Sequence, residues 1–225
     1  MKDLLRNISI TVHHKTYIKD PESSELGKKI LESSIDLIHE IGFESFTFKK
    51  LGLQIGSNES SIYRYFENKH KLLLYLTSWY WGWIEYQLVF ETNSIPDLSQ
   101  RLSKAIRIVS RSIQADSSFG HIDETKLSDI VISEFSKSYL TKEVDSENKD
   151  GYFSVYKRLI HRLRDMITQL KPDYPYPASL ASTVIEGALH QHFLKAHFPS
   201  ITDCNQQEPP PEFLIHLVFS TLNLK

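Results

Sequence analysis

Between Leu72 and Phe90 the chain places Leu72, Leu76, Trp79, Trp83, Tyr86 and Phe90 alternately four and three positions apart, the repeat of one face of an α-helix. Tyr80, Trp81 and Leu88 add apolar groups to its other faces. Such a helix needs apolar surroundings on nearly every side, which only a bilayer or a jacket of other helices supplies. The 19-residue run has the length of a bilayer span, but Thr77, Ser78, Gly82, Glu85 and Gln87 interrupt it. The better reading is a buried central helix, with no membrane partner.

A central helix requires neighbours, and the rest of the chain offers them. Leu26, Ile30, Leu37, Ile38 and Ile41 mark a helix that Ser23 or Ser24 can cap and Gly42 can end. Thr47 can cap a short second helix through Phe48, Leu51 and Ile55, and Gly56-Ser57-Asn58 reads as a turn before a third helix over about 58–65. Further helical patterns run over 98–113, 127–135, 152–170, 181–196 and 213–222, with proline breaks at 172–177 and at Pro209-Pro210-Pro211. The expectation is an all-α chain of about nine helices. Residues 8–18 alternate apolar and polar positions at Ile8, Ile10 and Val12, as a short β arm or hairpin would. The expected domains are an arm over 1–22, a domain of short helices over 23–70 and a larger helical domain over 71–225.

Several function classes find little support. The formal net charge of −2 argues against coating nucleic acid through bulk charge. Locally, however, Lys49, Lys50, Arg64, Lys69 and Lys71 are opposed only by Glu59 and Glu67, which allows a small basic face. Cys204 is the single cysteine, so no internal disulfide forms, and a reducing, cytoplasmic setting is expected. The first residues lack the apolar stretch of a secretory signal. The eight glycines form neither a phosphate-cradling loop nor a nucleophile elbow, so no enzyme, catalytic residue or cofactor is expected. His190, His192 and His197 with Glu186 are the one metal-like cluster. Imidazoles packed in an interface or pocket are the commoner outcome, and no metal site is assigned.

Three short helices before a long one, with a glycine ending the first and another in the tight turn, form the layout of a helix-turn-helix. Over about residues 24–74 the chain resembles the TetR family of regulators. The matching residues are Ile30-Leu31, Ser34, Leu37, Gly42-Phe43, Thr47, Leu51, Gly56, Ile62-Tyr63, Tyr65-Phe66, Asn68-Lys69 and Leu72-Leu73. The resemblance implies a three-helix DNA-binding domain, a helical regulatory domain, a homodimer and a small-molecule ligand.

The same resemblance places Thr47, Tyr63 and Lys69 against DNA phosphates, contacts that position a protein without reading sequence. Asn58, Glu59, Ser60, Ser61 and Arg64 lie on or near the exposed side of the third helix and are the candidates for base edges; arginine suits guanine and asparagine adenine. The chain departs from the family at Gly52, where alanine is frequent, at Ser57, where valine is frequent, and at Glu59. Glycine costs a helix about 1 kcal/mol relative to alanine, so a loosely packed domain is expected, and the charge of Glu59 opposes phosphate. Trp79, Trp83 and Tyr86 are the candidate ligand-pocket residues. The last two helical patterns, roughly 177–198 and 212–222, are the candidate dimer surface, because small residues at Ala181, Gly187 and Ala188 allow close helix approach. The expected function is a DNA-binding transcriptional regulator, a repressor released by a ligand, that binds a palindromic operator as a homodimer. The alternative is a helical interaction module of the same architecture without sequence-specific DNA binding.

Overall fold

The computed structural model describes residues 10–113, 120–205 and 210–224. Ten α-helices appear among them: α1 (Glu25–Ser45), α2 (Phe48–Ile55), α3 (Glu59–Tyr63), α4 (Lys69–Thr92), α5 (Leu98–Ser110), α6 (Glu124–Tyr139), α7 (Val144–Lys149), α8 (Ser154–Leu170), α9 (Pro177–His197) and α10 (Pro210–Thr221). The chain is all-α, as expected, and α7 is the helix that periodicity did not reveal. Ile8 and Pro209 lie outside the described residues.

Two compact units divide the chain, one of residues Met1–Gly82 and Ile113–Ser154, the other of Trp83–Ser112 and Val155–Lys225. In the first, α1 starts where the Ser24 side chain accepts from the Gly27 amide (3.2 Å). It buries Ile30, Leu31, Ile35 and Ile38. Gly42 ends the regular helix at φ +74° and leaves a last turn before Phe46. Residues 72–81 of α4 are all buried, and Thr77 returns its hydroxyl to the Leu73 carbonyl (3.0 Å), so that hydroxyl does not demand water. Among the described residues no helix is long and apolar enough to cross a membrane. The packing of α6 against α1 is joined by ion pairs from Lys126 to Asp36 (2.6 Å) and from Lys137 to Glu44 (3.0 Å).

Among the described residues the expected β arm is not a strand. His14–Thr16 forms a 3-10 turn in which the Thr16 amide and hydroxyl both donate to the His13 carbonyl (3.0 and 2.7 Å). A strand needs a partner ladder. Here the Ile18 amide donates to the Tyr65 carbonyl (2.7 Å), and Val12 and Thr16 are buried. Pro21 then packs on α1 so closely that a Cβ at Gly27 would lie 2.1 Å from its carbonyl oxygen.

In the second unit α5, α9 and α10 pack on one another. Asp97 caps α5 by accepting from the Gln100 amide (2.7 Å), and α8 turns Val155, Leu159, Leu163 and Ile167 inward at steps of four. Glu85, on the part of α4 in this unit, is buried and takes Arg158 and Arg162 together.

Candidate nucleic-acid interface

The interface is built on α2, the turn after it and α3, all in the first unit. Thr47 caps α2 by accepting from the Lys50 amide (3.2 Å) and remains exposed. At the other end Gly56 adopts the left-handed conformation (φ +68°, ψ 33°) that closes the helix, and Lys29 donates to the last free carbonyl there, that of Ile55 (2.9 Å).

Gly52 determines how closely the turn returns to α2. A Cβ there would meet the Ser57 carbonyl oxygen at 2.8 Å and the Glu59 amide nitrogen at 3.3 Å. The Ser57 amide uses this approach to donate to the Gly52 carbonyl (2.9 Å). The expectation of a loose domain therefore fails at this position: the glycine permits tight packing where the sequence pattern showed only lost helix propensity. The small core beneath is continuous, with Phe46, Leu51, Ile62 and Phe66 fully enclosed.

Asn58 sets the geometry of α3. Its Oδ1 accepts from the Ser61 amide (2.9 Å) and from the hydroxyls of Ser60 (2.6 Å) and Ser61 (2.9 Å). Three donors occupy that oxygen, so the amide group keeps only its N–H donors and cannot offer adenine the donor–acceptor pair. Because both serine hydroxyls spend their protons on Asn58, each is left with its lone pairs as an acceptor. Tyr63 is 46% exposed, and its ring stands edge-on to Phe48 at 5.0 Å, which fixes where the hydroxyl points. Tyr65, two residues on, is a core residue whose hydroxyl meets Ser24 (2.8 Å); that bond holds its phenol below the usual range.

The five local cations have unequal surroundings. Lys69 donates to the carbonyls of Phe43 (3.0 Å), Glu44 (3.1 Å) and Phe46 (3.3 Å) and sits over the Phe43 ring. All three of its N–H donors are thus engaged by the chain that follows Gly42. Lys50 reaches the Ser45 carbonyl (2.8 Å). Lys71 and His70 both lie on Glu147 of α7, at 2.9 and 3.0 Å. Burial works against the Lys71 ammonium, but the Glu147 bond raises its pKa overall. The side chains of Lys49 and Arg64 have neither a hydrogen bond nor an ion pair among the described residues, and both residues are exposed. Glu59, at the first position of α3, is half-buried.

The residues singled out elsewhere are distributed differently. Trp79 and Trp83 are buried, Tyr86 is half-buried, and none of them lines the cleft between Leu88 and Gln169, the one between Gln191 and His216 or the one between Ser99 and Phe219. Glu186 accepts from Tyr156, and His192 bonds the Ser110 carbonyl (2.8 Å). No grouping of His, Cys, Asp and Glu able to hold a metal occurs among the described residues.

Residues 30–76 match the family model of the bacterial regulatory proteins of the tetR family. No curated protein matches the chain in sequence. Among solved structures it is similar to apo AibR (TM-score 0.54, 14% identity, 86% of this chain and 96% of that one). It is also similar to the fatty acid degradation regulator FadR from Bacillus halodurans (0.56, 17%, 87% and 91%) and to AibR in complex with isovaleryl coenzyme A and operator DNA (0.55, 17%, 86% and 97%). The matched segment falls on the helix-turn-helix, so it is this part of the chain that is similar to the DNA-binding segment of tetR-family regulators.

Proposed function

We propose that the protein represses transcription in the cytoplasm by binding a palindromic operator as a homodimer, and that it leaves the operator when a small molecule binds its helical regulatory part; it catalyses no reaction. The observation that carries this reading is the face of α3, where Tyr63 and Arg64 stand exposed beside two serine hydroxyls that donate to Asn58, over an enclosed core. Thr47 and Tyr63 meet phosphates, while Arg64, Ser60 and Ser61 read base edges and Glu59 selects against wrong ones. Asn58 and Lys69 act through their neighbours: one holds α3, the other clamps the chain after α1. AibR, which shares the fold, has been solved with both an acyl coenzyme A and operator DNA, in keeping with a ligand-responsive repressor.

The homodimer is assigned to 177–198 and 212–222. Phe198 and Phe213 lie exposed at these helices, and a second copy gives them an apolar partner. A gel shift at low salt against the promoter region beside the protein's own coding sequence tests the reading. The expected result is a retarded complex that survives excess random DNA. Absence of any complex rejects the repressor and leaves the interaction module.

A further inference from the structure

In the second unit the end of α4, the residues around Arg101 of α5 and the second half of α8 enclose a cleft of about 270 Å³, with Leu88, Val89 and Met166 on its apolar side and Arg101 and Arg162 on its polar side. Each arginine is anchored by one nitrogen. Arg162 donates from Nε to Glu85 (2.6 Å), and Arg101 donates from Nε to the Ile95 carbonyl (2.8 Å). The Nη groups of both have no other hydrogen-bond partner among the described residues. A guanidinium held at Nε presents its remaining N–H groups in a preset direction, which suits a planar or tetrahedral oxyanion.

The charge balance points the same way. Arg158 and Arg162 share the single buried carboxylate of Glu85, and Arg101 meets only a neutral carbonyl. The one acid on the lining, Asp165, is already held by Nε and Nη2 of Arg164 (2.8 and 2.6 Å). A cleft of this size suits a small ligand, and its apolar side offers a short hydrocarbon a surface on which to leave water.

We propose that this cleft binds a small organic anion, with the carboxylate or phosphate taken by the Nη groups of Arg101 and Arg162 and a short apolar body against Leu88, Val89 and Met166. The inference rests on the function proposed above only for its purpose, the signal to which the regulator responds; binding itself is measured without DNA.

The test is isothermal titration of the full-length protein in chloride buffer with hexanoate, hexyl phosphate and uncharged hexanamide. At least one anion binds saturably, hexanamide does not, and the tighter anion tells carboxylate from phosphate ligands. Arg101→Gln lowers that affinity by about tenfold or more, the scale of a lost charged hydrogen bond. Arg107→Gln, whose residue pairs with Glu212 outside the cleft, leaves it unchanged. Arg162→Gln is the second variant should the first not fold. Saturation by neither anion up to its solubility, equal binding of hexanamide, or full affinity in the arginine variants overturns the proposal. A gel shift on the same sample separates the two readings: DNA binding without anion uptake removes this inference alone, and anion uptake without DNA binding removes only the proposed function.

Discussion

Replacing Gly52 with alanine sets two effects of known sign against each other. In an isolated helix the change is favourable by about 1 kcal/mol, because alanine loses less backbone entropy than glycine. In this protein the added Cβ meets the Ser57 carbonyl oxygen at 2.8 Å and the Glu59 nitrogen at 3.3 Å. Both are backbone atoms of the turn, so relief requires moving the turn and α3 together rather than a rotamer change. Overpacking of this kind costs about 1–3 kcal/mol, and stretching the bond from the Ser57 amide to the Gly52 carbonyl adds up to about 1 kcal/mol. The steric cost prevails, and Gly52→Ala is expected to destabilise by about 1–2 kcal/mol, a fall in Tm of about 2–8 °C for a chain of this length. Because α3 is displaced, operator affinity falls as well. Guanidinium denaturation followed by circular dichroism, with a gel shift on the same sample, measures both. A variant more stable than the parent, with operator binding intact, would refute the close approach on which the reasoning depends.

Other changes separate residues that touch DNA from residues that hold those in place. Lys69→Met removes three hydrogen bonds to carbonyls and is expected to lower stability by about 1–3 kcal/mol while leaving the salt dependence of DNA binding unchanged; a slope flatter by about one charge would show that Lys69 meets phosphate instead. Tyr63→Phe keeps the ring on Phe48, so melting stays the same while affinity falls equally for operator and random DNA, a pair of results that one titration series with each DNA checks. Glu59→Gln is expected to tighten random-DNA binding and narrow the operator-to-random ratio, and an unchanged ratio would reduce Glu59 to a helix stabiliser. In the second unit Arg158→Met is expected to cost more than Glu85→Gln in urea melts, because the first leaves a carboxylate that is 8% exposed with one cation, whereas the second frees arginines that are 52% and 43% exposed to water. Burial opposes the ionised form of Glu85, but the two arginines overcome it and hold its pKa below the ordinary carboxylate value. Its stabilisation is therefore present above the unfolded carboxylate range and lost as pH falls through the folded value; an acid melting profile that Glu85→Gln leaves unaltered would contradict this.

The parts of the fold that could be read from the sequence are those governed by neighbours close in the chain. The stripe from Leu72 to Phe90 identified α4, and Gly42, Thr47, Gly56 and Asn58 marked helix ends because caps and left-handed turns are local demands. What escaped depends on distant partners. α7 is six residues of mostly polar sequence, but Glu147 is buried among groups more than seventy positions earlier. The apparent basic face had the same origin: five cations in 23 residues look like an electrostatic patch until three of them are found bonded to carbonyls or to Glu147. Gly52 read as a propensity defect because a clash with Ser57 exists only once the turn has closed. Asn58 was correctly placed at the start of α3, but its serine partners, two and three residues away, use the acceptor that a base-reading role requires.

The docking of α6 on α1 has a consequence for protein engineering. A segment cut from this protein just after residue 71 and grafted onto another sensor would lose the partners of Asp36 and Glu44, the acceptor that Glu134 offers the Phe43 amide and the carboxylate that holds His70 and Lys71. It would also expose the apolar face of α1 to water. The transplantable piece is discontinuous in sequence, the amino-terminal segment together with about residues 120–154, so chimaeras of this protein require three splice sites rather than one.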